Sequence, residues 1–118
     1  MQHKKIFNYF EIAAKITSKN RGKRRFLVGA IGIRGDGTMV SAFNGSSPRP
    51  NRKAHAEYRL VNKLDYGAVV YVARVKVGDG TFGMAKPCKS CQKALKSKKV
   101  SRVYFTTGPN SYDYMDLE

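Results

Sequence analysis

Four side chains in this sequence have types and spacing that suit chemistry: His55, Glu57, Cys88 and Cys91. One imidazole and two thiolates are donors of the borderline-soft kind that zinc prefers. A closed structural zinc site needs a fourth ligand. The other histidine, His3, lies near the start of the chain with no ligand spacing, and there is no third cysteine. Three protein donors leave one coordination position open to water, the arrangement of a catalytic zinc. Glu57 follows His55 by two residues, so its carboxylate can reach that water without being a ligand, take its proton and hand it on. The set therefore predicts one zinc ion per chain, held by His55, Cys88 and Cys91, with Glu57 as the proton shuttle.

Each piece is weak when taken alone. An H-x-E triplet arises often by chance, and a helix-borne histidine is usually structural. Glu57 by itself reads as a first-turn glutamate that favours the helix dipole. Cys88 and Cys91 are the only cysteines, and a disulfide closing so short a loop would constrain the unfolded chain very little. In a reducing compartment such a C-x-x-C pair reads as metal ligands or as a redox pair. The redox reading gives His55 and Glu57 no job. A zinc that merely staples a small basic fold is the non-enzymatic alternative.

The elements that must position these groups follow from hydrophobic periodicity. Ile6, Phe10, Ala13 and Ile16 fall on one stripe and predict a helix over 4–19. A basic run at 19–25 breaks it. The apolar run 26–33 and residues 38–43, joined by Gly35-Asp36-Gly37, predict a hairpin. Residues 44–53, with two prolines, read as a loop, and 54–64 as a helix with Glu57, Val61 and Leu64 on one face. The nearly wholly apolar stretch 68–77 predicts a strand buried on both faces. Pro87 suits the first turn of a helix opening at about Cys88, on which Cys88, Cys91 and Leu95 share one side and Lys89, Lys93 and Lys96 another. A last strand is expected at 102–107, followed by an acidic tail, 113–118, expected to fray.

Helix, strand, strand, helix, strand, helix, strand predicts an α/β fold, a three-layer α/β/α sandwich around one mixed sheet. With no repeat and no linker, a single domain is expected over 1–118, its core at about 26–107. Both donor groups then fall at helix starts, where the dipole and free N–H groups favour a thiolate, and both helix starts can converge at one edge of the sheet.

Composition bounds the partners. The 118 residues carry 23 Lys and Arg against 8 Asp and Glu, a formal charge of +15. So large an excess makes the compact state repel itself and points to polyanions such as nucleotides or nucleic acid, unless it is kept only for solubility. No apolar run approaches the roughly 20 residues of a membrane helix, and the start lacks the apolar stretch of a signal peptide, so a cytoplasmic protein without a membrane partner is expected.

His55-Ala56-Glu57 with Pro87-Cys88-x-x-Cys91, in this order of strands and helices, resembles the cytidine/deoxycytidylate deaminase superfamily of zinc-dependent nucleobase deaminases over about residues 26–107. The resemblance implies a cytidine deaminase-like fold with a minimal C-terminus. Members of this branch usually continue with a further helix and strand, and only eleven residues follow Thr107. It implies hydrolytic attack at the amine-bearing ring carbon with loss of ammonia, His55, Cys88 and Cys91 as zinc ligands, and Glu57 as the shuttle. Ala56, inside the motif, is a candidate for substrate contact. Asn44, in Phe43-Asn44-Gly45, matches a sugar-contacting position, although it reads equally well as a turn residue. Homo-oligomers that complete the pocket are common in the family.

Two substrates compete. A free nucleotide such as deoxycytidylate would be held by Arg49, Arg52 or Lys53 before His55. A base in a single strand would be held by phosphate contacts over the surface. No acidic residue occurs between 80 and 112, which hold Lys86, Lys89, Lys93, Lys96, Lys98, Lys99 and Arg102. That is more charge than one phosphate needs, which favours the strand. Cytosine, the commoner substrate of the superfamily, is expected over adenine.

Overall fold

The computed structural model of the protein describes residues 2–17, 26–43, 56–76 and 80–117. Along them run α1 (Gln2–Thr17), β1 (Phe26–Ile33), β2 (Met39–Phe43), α2 (Ala56–Leu60) with a 3-10 turn at Val61–Lys63, β3 (Val69–Lys76), β4 (Phe82–Gly83), α3 (Lys89–Ser97), β5 (Arg102–Gly108) and β6 (Ser111–Asp116).

The two long apolar runs of the sequence are the middle of the sheet. β1 and β3 pair antiparallel along their whole length, from Phe26 opposite Lys76 to Ile33 opposite Val69. β2 folds back on β1 as a hairpin, and β5 joins β3 in parallel through Val69 to Val72. The sheet order is β2-β1-β3-β5-β6, with β4 also on β3. Because β1 fills one edge of β3 throughout, β5 and β4 share its other edge in turn, β4 pairing at Arg74 and Val75. The sheet is mixed, as expected.

Alternation along β3 sends Tyr71 and Ala73 to one face and Val70 and Val72 to the other. α1 covers the first face with Ile6, Phe10 and Ala13. α2 and α3 cover the second, where Ala56, Leu60 and Leu95 meet Val70, Val72, Val103 and Phe105. These are the three layers. Burying a side chain the size of Phe10 or Leu60, both fully buried, contributes roughly 1.5–3 kcal/mol.

Several boundaries differ from expectation. The inner stripe of α1 continues to Thr17, not Ile16, and the buried Thr17 hydroxyl donates to the Ala14 carbonyl at 2.6 Å. The helix expected over 54–64 tightens into 3-10 geometry after Leu60, and Leu60, not Val61, is its fully buried centre. β4 was not foreseen.

The largest correction concerns the tail. Residues 111–116 form a strand antiparallel to β5 and do not fray. The pairing is regular from Arg102 to Thr106 and shifts between Thr106 and Gly108 beside the turn, and Met115 and Leu117 pack against the core. On its other face Arg102 bonds Asp116 at 2.6 Å and lies over the Tyr114 ring at 4.1 Å.

α3 ends in a Schellman motif, with the Val100 amide on the Leu95 carbonyl and the Lys99 amide on that of Lys96. Lys99 occupies the left-handed position that glycine normally takes, at φ 60°. Lys99→Gly is therefore expected to stabilise the fold by about 1 kcal/mol, read as a rise of a few degrees in thermal unfolding.

Candidate metal and acid–base site

The cysteine segment is set in place by a buried threonine. Thr106 of β5 is fully buried. Its hydroxyl donates to the Gly83 carbonyl at 2.7 Å and accepts the Arg74 amide at 3.3 Å. The Ala85 amide then donates to the Thr106 carbonyl at 2.8 Å. One residue thus ties β3, β4 and the chain leading to Pro87 together. From the buried Pro87 the chain enters α3. The Gln92 side-chain amide donates back to the Pro87 carbonyl at 2.7 Å, and its backbone amide to the Cys88 carbonyl at 2.9 Å.

Cys88 is the N-cap of α3, in extended conformation and exposed, its Sγ 3.2 Å from Ser90 Oγ. Cys91, in the first turn, is fully buried. Neither cysteine forms a disulfide. The pair therefore presents one sulfur at the surface and one beneath it. Sequence reasoning singled out neither Thr106 nor Gln92. Only the position of Thr106 in an apolar strand hinted at an inward hydroxyl.

α2 is fixed on the same side of the sheet. Ala56 and Leu60 are fully buried in the core. On the outer side Arg59 donates to the Phe43 carbonyl at 2.9 Å and covers the Phe43 ring, and Lys63 donates to the Ser41 carbonyl at 2.6 Å. These bonds to β2 set the rotation of the helix. The Ala56 side chain is committed to packing, so a substrate would meet its backbone. Glu57 is 6% exposed, the only buried carboxyl among the described residues. Burying a carboxylate is costly unless it has a partner. α2 and α3 pack beside each other, which brings the start of α2, with Glu57, to the layer that holds Cys88 and Cys91.

Of the residues expected from sequence, His55, Asn44, Arg49, Arg52 and Lys53 lie outside the described residues. Among the described residues no three His, Cys, Asp or Glu side chains gather to hold a metal, and the expected donor set reaches three only with His55. Two cysteines outside any disulfide, at a helix start, are nonetheless the soft part of a zinc site, and they fit.

Burial, with Tyr104 and Tyr9 beside it, pushes the Tyr71 hydroxyl up to about 12, so it stays protonated at neutral pH and serves packing.

The chain matches the family model described as the cytidine and deoxycytidylate deaminase zinc-binding region over residues 3–107. Its fold is similar to that of a cytidine deaminase from Burkholderia pseudomallei at 18% identity and a TM-score of 0.64, covering 94% of this chain and 91% of that one. It is also similar to a cytidine deaminase from Mycobacterium leprae at 20% identity and a TM-score of 0.58, covering 91% and 90% of the two chains. At these identities the likeness is one of fold. A search of curated protein sequences found no match.

Proposed function

This chain belongs to the cytidine and deoxycytidylate deaminase zinc-binding family, a family of zinc-dependent hydrolases, and from that premise we propose which base it acts on and which residues do the work. The base is cytosine, converted to uracil, carried by a nucleotide or a single-stranded nucleic acid. One zinc per chain is held by His55, Cys88 and Cys91. The observation that supports this reading is Glu57, a carboxyl kept from solvent in the first turn of the helix packed beside the one that carries Cys88 and Cys91.

Zinc, when bound, supplies Lewis acidity that makes a water acidic enough to ionise near neutral pH. Glu57 accepts the proton from that water and returns it on the side of the departing amine. The water oxygen bonds to the amine-bearing ring carbon, the carbon–nitrogen bond breaks, and ammonia leaves. The low exposure of Glu57 keeps bulk water from taking the proton instead. Around this centre the Ala56 backbone contacts the base, Asn44 the sugar, and Arg49, Arg52 or Lys53 a phosphate. The whole chain acts as one domain in the cytoplasm and forms homo-oligomers. No helix among the described residues is long and apolar enough to cross a membrane.

The test is a product panel. Zinc-loaded protein is incubated with cytosine and adenine nucleosides, nucleotides and oligonucleotides, and bound metal is measured alongside. Uracil products with about one zinc per chain are expected. Conversion of adenine alone, or bound zinc with no turnover of any substrate, overturns the proposal.

A further inference from the structure

The exposed side of α3 carries Lys89, Lys93 and Lys96, separated along the helix axis by about 6 and 4.5 Å. A groove of about 410 Å³ runs beside them, closed on its far side by Asp116 and Leu117 at the end of β6. Asp116 is engaged by Arg102. Among the described residues no carboxylate pairs with any of the three lysines. Like charges one turn apart on a helix repel, and nothing described on this face relieves them. The stripe starts at Lys89, the residue after Cys88, so it leads away from the candidate site.

We propose that this face of α3 is a phosphate track for a single-stranded nucleic acid whose cytosine enters the site at the N-terminal end of the helix. The proposal rests on the deaminase reading for its direction and names the polymer as the substrate class. A strand suits the face better than a membrane does. The apolar side chains Cys91 and Leu95 are buried, which leaves α3 without the exposed hydrophobic face an interfacial helix inserts. A single strand suits it better than a duplex, because a paired base is out of reach of the site.

The test measures binding of a labelled oligothymidine, which contains no cytosine and so reports on the track alone. Lys93→Ala with Lys96→Ala is compared with Lys4→Ala with Lys5→Ala. The second pair removes the same charge from exposed positions on α1, across the sheet. The α3 pair is expected to weaken binding about tenfold at low salt and to lower the log–log salt slope by about 1.4, two contacts at about 0.7 each. The α1 pair should leave the slope unchanged. Equal losses in the two pairs would reduce the effect to net charge and overturn the track. So would wild-type binding that ignores salt, or lysine-dependent binding to phosphatidylserine vesicles with none to the oligonucleotide. A strand held as expected, in a protein that converts no cytosine in any substrate, supports the track and overturns the deaminase reading instead.

Discussion

Replacing Glu57 by glutamine is expected to lower the deamination turnover number by about a hundred- to ten-thousand-fold, the usual contribution of a positioned general acid–base. Glutamine keeps the shape and the hydrogen-bonding reach of the side chain but cannot accept and return a proton. Because Glu57 is buried in the first turn of α2 beside well-packed Ala56 and Leu60, an isosteric change leaves the helix in place. Zinc content and thermal unfolding should therefore match the wild type. Metal analysis and a melting curve separate a chemical loss from a structural one. Turnover within tenfold of wild type, with the metal retained, would mean that another group moves the proton.

Gly29→Ala is expected to destabilise the fold by about 3 kcal/mol or more, at the upper end of what overpacking costs. A Cβ on Gly29 would stand 2.0 Å from the Ala13 carbonyl oxygen and 2.8 Å from its carbon. Both are backbone atoms of α1, so no side-chain rotation relieves the clash. The whole helix must lift from β1. The gain from restricting the unfolded chain, about 0.4–1 kcal/mol for a glycine-to-alanine change, is too small to offset this. The melting temperature should fall by about 10 °C or more. The near-ultraviolet circular dichroism should change with it, because α1 carries Tyr9 and Phe10 against Tyr71. An unchanged melting temperature would contradict the close seating of α1 on β1.

The centre of the sheet was legible because its signal is local. Phe26 to Ile33 and Val69 to Lys76 are apolar runs that need both faces covered, and their limits came within a residue of expectation at each end. β6 escaped because Asp113 and Asp116 disfavour a strand and the acidic end of the chain resembles a solvated tail. Its stability comes instead from pairing with β5 and from Met115 and Leu117 reaching the core. Gly108-Pro109-Asn110 between two tyrosine-bearing runs was the hairpin signal that could have revealed it. β4, two residues long, is too short to show a period at all. For the candidate site, H-x-E and P-C-x-x-C carried the types and spacing of the proposed donors. The roles of Thr106 and Gln92 were not legible, since each depends on a carbonyl that folding brings near it: Gly83 is 23 residues from Thr106, and Pro87 is a full helical turn before Gln92.

The hydroxyl of Thr106 has a thermodynamic consequence. Because it binds β3, β4 and the approach to Pro87 at once, the segment leading to the sulfurs is tied to the sheet by bonds of the protein itself. A cation captured there would forfeit less chain entropy than one that had to order a loose segment. Minimal zinc modules, by contrast, must spend much of their binding energy on folding.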